Sequence, residues 1–188
     1  MIPGVPKAPQ KSLADSHRPE KLFPSPRRRE QFLYIFGLER NMFTTTVIPS
    51  FGDVDGLGHI NNTVLARWFE MARNPIFRIF EPNLNLSHDV WRLIMAHTEF
   101  DFVGELFFEF DVELRTYIEK VGTKSFTVYQ EAWQEGRLCV QGRAVVVHYN
   151  FKEGVTTPIP KDKKEELEKH MIPKVPKVPK NEPYETND

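Results

Sequence analysis

The sequence has little cysteine, little net charge and no long hydrophobic run. Its 188 residues include one cysteine, Cys139, which excludes an intramolecular disulfide and a cysteine-based zinc cluster. The formal net charge is −1, so no overall basic field favours nucleic acid. No apolar run reaches the roughly 20 residues that span a bilayer, and no secretory signal is recognisable. We therefore expect a cytoplasmic protein without a membrane span or a nucleic-acid partner.

The six histidines show none of the spacings typical of metal ligands, so no metal site is expected. Hydrophobic residues make up 40% of the chain and charged residues 27%, which is enough to build a core and excludes disorder of the whole chain. Ten of the 15 prolines lie close to the two ends. We predict a folded domain over residues 43–170, an extended basic arm over 1–42 and a proline/lysine tail over 171–188.

Both ends contain one further pattern. In the arm, Gln31–Phe36 is an apolar patch, which can form a short element that docks on the domain. In the tail, a proline recurs every third residue over Pro173–Lys180. That period matches the polyproline II helix and favours an extended spacer over a docking ligand.

A long amphipathic helix is predicted between residues 62 and 80. Apolar side chains recur there at steps of three and four residues: Leu65, Trp68, Phe69, Ala72, Ile76 and Phe80. Pro75 interrupts this pattern, because proline lacks the N–H that a helix interior needs. We expect a kink at this point, or a restart with Asn74 as cap and Pro75 in the first turn.

Period-two alternation predicts strands in the remainder of the domain. The predicted strands are Phe43–Ile48, Arg92–Phe102, Phe108–Glu119, Lys124–Trp133 and Leu138–Tyr149, and a polar helix follows over Lys161–His170. The order predicts an α+β fold, a five-stranded antiparallel sheet packed on one helix, and the strand from Phe108 should have one solvent-facing side. Such a sheet leaves an exposed edge, which favours a homodimer.

The segment that joins the first strand to the helix is the best candidate for chemistry. Phe51–Asn62 contains three glycines and ends where the free N–H groups of a helix favour negative charge. Asp55 lies a few residues before that helix, so a carboxylate and an oxyanion site would be close, as acyl transfer requires. The same residues also fit a turn with Asn61 as the helix cap and no catalytic role.

The run DVDGLGHINN, from Asp53 to Asn62, resembles part of the D-x-D-x-x-G-H-V-N-N … E-x-A-R signature of hotdog-fold acyl thioesterases. EMAR, which ends at Arg73, matches the rest, and VGTKSF, which ends at Phe126, is similar to their I-G-x-x-S-F hairpin. These enzymes form the 4-hydroxybenzoyl-CoA thioesterase-like superfamily. The resemblance covers about residues 43–170 and implies a sheet wrapped around one central helix.

The resemblance implies a role for several positions. Asp55 aligns with the carboxylate that acts as nucleophile or general base, and the N–H groups near Asn61 and Asn62 would polarise the thioester carbonyl. Lys124 and Ser125 fall where relatives contact the phosphates or pantetheine of CoA across a dimer interface. Lys124 is equally well explained as a solvated lysine in a hairpin.

His59 could orient the loop through a hydrogen bond or assist proton transfer, and the first role is favoured. Glu70 and Arg73 are three residues apart, as in a structural ion pair. The acyl chain would lie along Trp68 and Phe69, between the subunits.

The sequence therefore predicts a hydrolase of acyl-CoA or acyl-carrier-protein thioesters that needs no cofactor, since CoA is part of the substrate. A homodimer is expected, with a tetramer as a further option. The alternative is a non-catalytic module of the same fold that binds acyl-CoA or another protein. Two departures from the family affect the site: Leu57 stands where related plant enzymes carry the asparagine of a D-x-N-x-H motif, and Pro75 interrupts the helix.

Overall fold

The computed structural model describes residues 42–172, so the predicted arm with its Gln31–Phe36 patch and nearly all of the predicted tail lie outside the described residues. The strands are β1 (Phe43–Val47), β2 (Leu93–Phe102), β3 (Val112–Val121), β4 (Ser125–Gln134), β5 (Arg137–Asn150) and β6 (Val155–Thr156). The α-helices are α1 (Asn62–Ala72), α2 (Asn74–Phe80) and α3 (Lys161–Glu168), and a 3-10 turn covers Phe51–Asp53.

The strands form one antiparallel sheet in the order β1-β3-β4-β5-β2, and the short β6 pairs with the end of β5. This confirms the predicted α+β fold with five main strands. All three helices pack on one side of the sheet, which we call the inner face; the other side is the outer face. No helix within residues 42–172 is long and apolar enough to cross a membrane.

The predicted restart of the central helix is confirmed. The helix α1 ends at Ala72 and α2 begins at Asn74, with Pro75 in its first turn, where a missing N–H is tolerated. Arg73, rather than Asn74, is the residue between the two helices. The predicted central helix is therefore two shorter helices.

The first helix lies unusually close to the sheet. A Cβ atom on Gly142 would lie 2.6 Å from the ring of Phe69 and 3.2 Å from that of Phe100, so only glycine fits there. The rings of Phe69 and Phe100 are in contact, with centroids 5.6 Å apart. The residues that α1 buries against the sheet are Val64, Leu65, Trp68, Phe69 and Ala72. This contact sets the position of the helix and therefore of its N-terminus.

A buried polar network supports the break between the two helices. The Gln130 side chain donates to the Phe69 carbonyl at 2.9 Å and to Thr116 Oγ1 at 3.0 Å, and it accepts from Arg73 Nη1 at 2.9 Å. Burial lowers the pKa of Arg73, while the charge of Glu70 opposes that shift. The predicted ion pair is wrong: among the described residues Arg73 has no salt bridge to the exposed Glu70.

The strand predicted from Phe108 begins later, at Val112. Phe108 and Phe110 lie in a turn, because the Gln134 side chain binds the backbone there in place of a strand partner. Its Nε2 donates to the carbonyls of Phe107 and Phe110 at 2.7 and 2.8 Å, and its Oε1 accepts from the Phe107 N–H at 2.8 Å. Residue alternation cannot reveal such a contact across 27 positions.

The outer face is less exposed than the alternation predicts. Glu113 and Glu119 of β3 are half-buried, and Tyr117 between them is buried. On β4, Tyr129 and Glu131 are also buried. The expectation of one solvent-facing side is therefore wrong for the middle of the sheet.

A buried carboxylate holds the loop that leads into α1. Asp53 accepts from the N–H of Ser50 at 2.9 Å, from its hydroxyl at 2.7 Å and from Arg67 Nη2 on α1 at 2.6 Å. Burial by itself raises the pKa of Asp53, but the bonds from Ser50 and the charge of Arg67 outweigh it and lower the pKa. Asp53 therefore ties both ends of the loop together in its ionised form.

Replacing Gln130 by leucine should destabilise the fold by about 3 kcal/mol, because the buried guanidinium of Arg73 would lose its acceptor. Urea unfolding measures this change. Lys120→Leu, at an exposed position of the neighbouring strand, is the control and should change the free energy of unfolding by less than about 0.5 kcal/mol. Equal stability of Gln130→Leu and the wild type would contradict the role given to the network.

Replacing Asp53 by asparagine should cost about 2 kcal/mol at pH 7, since hydrogen bonds to an ionised group would be lost. The pKa of Asp53 is lowered in the folded state, so its contribution is complete above the ordinary value of 3.8 and is lost as the pH falls below it. Thermal unfolding from pH 7 to pH 2 should therefore show a smaller fall in stability for Asp53→Asn than for the wild type. The exposed Asp111→Asn should behave like the wild type, and parallel pH curves for all three proteins would refute the assignment.

Candidate functional site

A cleft of about 250 Å³ opens where the loop before α1 meets the end of β2. Its polar lining consists of Asp55, His59, Asn61, Asn62 and Glu105, and the remaining lining residues are Ile60, Leu65, Phe102, Gly104, Leu106 and Val140. The four residues predicted as catalytic thus lie in one cleft.

The loop in front of the cleft is closed by Asp55. The Asp55 N–H donates to the His59 carbonyl at 2.8 Å, and the Gly58 N–H donates to the Asp55 carbonyl at 3.2 Å. Gly58 has a φ of 85°, a left-handed conformation that favours glycine. Leu57 at the tip is 82% exposed and does not line the cleft.

The two carboxylate oxygens of Asp55 have different surroundings. Oδ1 accepts from the Leu57 N–H at 2.8 Å and from the His59 N–H at 3.1 Å. No donor within residues 42–172 bonds Oδ2. The backbone therefore fixes the orientation of the carboxylate and leaves one oxygen able to react.

The start of α1 offers one free N–H to the cleft. Asn61 caps the helix, since its Oδ1 accepts from the Thr63 N–H at 3.0 Å, and its own N–H donates to the Asp53 carbonyl at 2.8 Å. The predicted cap is confirmed, and the N–H of Asn61 is occupied. The N–H of Asn62 has no acceptor in the described chain, as expected for the first residue of a helix.

His59 holds the loop through its backbone, and its ring lies beside a carboxylate that the sequence did not indicate. Besides its N–H bond to Asp55, it forms an isolated β-bridge with Phe107. Its Nε2 lies 3.7 Å from Glu105 Oε1, and its ring stands edge-on to that of Phe107, with centroids 5.3 Å apart. Glu105 was missed because it lies between strands in a segment without a recognisable motif.

The apolar wall of the cleft was also not predicted. It comes from the loop, α1, the end of β2 and β5, through Ile60, Leu65, Phe102, Leu106 and Val140. These residues are separated by up to 80 positions, so only the folded chain brings them together.

The four residues predicted to bind substrate lie elsewhere. Trp68 and Phe69 are 5% and 1% exposed, belong to the core and do not line the cleft. Lys124 and Ser125 lie at the β3–β4 turn, where Ser125 pairs with Val147.

The distance between that turn and the cleft follows from β5. Val140, which lines the cleft, is seven residues from Val147 on the same strand, so the turn is about 23 Å away. The Lys124 Nζ lies 3.4 Å from Thr156 Oγ1. Within one chain, Lys124 and Asp55 are therefore at opposite ends of the sheet.

The remaining candidate groups do not form a site in residues 42–172. No cluster of three His, Cys, Asp or Glu side chains there could hold a metal ion. Cys139 is buried in β5, and burial raises the pKa of its thiol, which disfavours the reactive thiolate.

Comparison with known proteins adds independent information. The family model of the thioesterase-like superfamily matches residues 49–167. A predicted thioesterase from Bacillus stearothermophilus is 40% identical, with a TM-score of 0.67 over 70% of this chain and 97% of that one. No curated protein matches the chain significantly.

Two more distant structures share the fold. A thioesterase from Thermus thermophilus, complexed with coenzyme A and Zn, is 23% identical, with a TM-score of 0.58 over 66% of this chain and 95% of that one. SAV2348 from Staphylococcus aureus, in complex with CoA, is 14% identical, with a TM-score of 0.63 over 74% of this chain and 90% of that one. With a family model that matches most of the chain and a relative that is 40% identical over 70% of it, this chain belongs to the thioesterase-like superfamily and has the hotdog fold.

Proposed function

We propose that the protein hydrolyses acyl-CoA thioesters to a free acid and the CoA thiol. The observation that carries this proposal is that the Asp55 carboxylate and the free Asn62 N–H line one cleft with an apolar wall. Thioester hydrolysis needs these three features: a base or nucleophile, a donor for the carbonyl oxygen and a surface for the acyl group.

The reaction uses the oxygen of Asp55 that the loop leaves free. This oxygen attacks the thioester carbonyl, or it removes a proton from a water molecule that attacks. The Asn62 N–H and the positive end of α1 stabilise the negative charge that develops on the carbonyl oxygen. The C–S bond then breaks, and the thiolate leaves and takes up a proton. After attack by water, the acid is released directly; after attack by Asp55, the acyl group is first held as a mixed anhydride on Asp55, and water cleaves that bond to release the acid and restore the carboxylate.

The lining of the cleft supports an apolar acyl group, and two structures with the same fold support CoA as the carrier. The acyl group lies on Ile60, Leu65 and Leu106, with Trp68 and Phe69 in the core behind them. Coenzyme A is bound in the structures of the Thermus thermophilus and Staphylococcus aureus proteins, which favours CoA as carrier here. An acyl-carrier-protein thioester presents the same bond and is the second substrate to test.

Asp55→Ala should lower kcat for acyl-CoA hydrolysis about 10²- to 10⁴-fold, which is the usual contribution of a general base. A panel of acyl-CoAs with a thiol-detecting dye measures the rate. The matched control is the exposed Asp111→Ala, which should keep the wild-type rate.

Equal rates for Asp55→Ala and the wild type would refute the role of Asp55. Tight binding of acyl-CoA by calorimetry, with no thiol released by the wild type from any member of the panel, would instead favour a non-catalytic binding module. Circular dichroism of each variant excludes loss of the fold as the cause.

We also propose that the active form is a homodimer joined through β2. This strand has ten residues and is the last in the sheet. No strand of the described chain pairs with the side of β2 that faces away from β5. Ile94, Met95 and Phe102 are large apolar residues at least 39% exposed along it. A long exposed edge with apolar side chains favours pairing with a second strand.

The antiparallel pairing of two β2 strands would complete the cleft. The Leu93 end of β2 is near Lys124, since Leu93 pairs with His148 and the His148 N–H donates to the Lys124 carbonyl at 2.8 Å. The Phe102 end is at the cleft. A two-fold axis places the Leu93 end of β2 in one protomer beside the Phe102 end of β2 in its partner. Lys124 of one protomer would then approach the CoA phosphates bound to the other.

Complementation tests this arrangement. Lys124→Ala should raise KM for acyl-CoA about tenfold, the effect of losing roughly 1.4 kcal/mol of binding. Mixing unfolded Lys124→Ala and Asp55→Ala chains and refolding them together should restore about a quarter of the wild-type rate at low substrate, because half of the dimers are mixed and each has one intact site. A rate equal to the mean of the two variants would place both residues in one chain's site or show that Lys124 has no role.

A further inference from the structure

The outer face of the sheet carries a buried cluster that the proposed function does not use. Its members are Tyr117, Tyr129, Glu131, Trp133 and Gln141, which we call the outer cluster, and none is more than 4% exposed. The three helices of the described chain pack on the inner face, so they do not bury these residues. Aromatic rings and a carboxylate on the outside of a sheet stay buried only if another segment lies over them.

Glu131 is at the centre of the outer cluster. Its Oε1 accepts from the Tyr129 hydroxyl at 2.9 Å and its Oε2 from Trp133 Nε1 at 2.9 Å. The Gln141 side chain donates in turn to the Tyr129 hydroxyl. Such a network holds the rings of Tyr129 and Trp133 in defined positions and forms an ordered surface for a docking segment.

The surface around the outer cluster is acidic. Five carboxylates lie on the outer face, from Glu99, Asp101, Glu113, Glu119 and Glu131, against three cations, from Arg115, Lys120 and Arg143, which leaves a net charge of −2. Arg115 lies 4.5 Å from the ring centre of Trp133, and Arg143 lies 5.2 Å from that of Tyr129. Arg143 is also paired with Glu119 at 3.1 Å. A basic segment therefore fits this face better than an acidic one.

Both ends of the described chain lie beside the outer cluster. The Tyr117 hydroxyl donates to Met42 Sδ at 3.1 Å, and Ile172 packs against Tyr117 and Tyr129. Residues 1–40 carry eight Lys or Arg against four Asp or Glu. The segment that precedes Met42 is therefore basic, and it joins the domain beside the acidic outer face.

The segment between the apolar patch and Met42 is also long enough for the patch to reach the outer cluster. Phe36, at the end of the apolar patch, is six residues before Met42, and six residues reach up to ~20 Å. Trp133 is four residues along β4 from Tyr129, which is about 13 Å. The patch can therefore reach the far end of the outer cluster.

We propose that Gln31–Phe36 of the same chain docks on the outer cluster, with the basic residues before it facing the acidic surroundings. The arm is then part of the folded unit, and it occupies a face through which two dimers could otherwise associate. The competing occupant is the outer face of a second copy.

Crosslinking in the full-length protein tests the occupant. A photo-crosslinking phenylalanine analogue at position 32 should form a link to the peptide that holds residues 129–133 within one chain, whereas the same analogue at position 13, an apolar position outside the patch, should not. A link that joins two chains, or no link to the outer face, overturns the proposal.

A double-mutant cycle tests the contact itself. Phe32→Ala should lower Tm by several degrees in the wild type and by less than half as much in Trp133→Leu, because the second variant already lacks the partner ring. Leu13→Ala is the control and should leave Tm unchanged in both backgrounds. Additive effects of Phe32→Ala and Trp133→Leu overturn the proposal. Neither readout involves thioester hydrolysis, so the result is independent of the proposed function.

Discussion

The close contact between Phe69 and Gly142 determines how the rest of the structure is arranged. Because no side chain separates helix from sheet at this point, α1 lies directly on β5 and its N-terminus is carried to the sheet's edge. Gln130 then bonds both sides of the break at Arg73, since it accepts from Arg73 Nη1 and donates to the Phe69 carbonyl. The cleft forms where this fixed helix start meets the loop after β2.

The site depends on two aspartates that are adjacent in the motif but have opposite tasks. Asp53 is buried and all its bonds are within the protein, so its charge holds the loop to Ser50 and Arg67. Asp55 uses one oxygen to close the loop and leaves the other to the cleft. The same residue type is structural at one position and available for chemistry at the next but one, because only Asp53 faces the interior.

Much of this could be predicted from local patterns. The helix stripe, the restart at Pro75, the cap at Asn61 and the main strands follow from short-range spacing, and the structure confirms them. The Glu70–Arg73 pair and the early strand start at Phe108 were wrong. In each case a glutamine distant in sequence replaces the partner that the local pattern predicted. Gln130 accepts from the Arg73 side chain in place of Glu70, and Gln134 binds the backbone at Phe107 in place of a neighbouring strand.

By itself the sequence determined the elements and the motif residues of the site, because periodicity, capping and loop glycines act within a few positions along the chain. Only the tertiary structure decided that Asn62 rather than Asn61 offers a free N–H, that Glu105 faces His59, and that the outer face of the sheet is buried. These features depend on which distant groups meet and satisfy each other's hydrogen bonds. Such meetings are set by packing, which leaves no trace in local spacing.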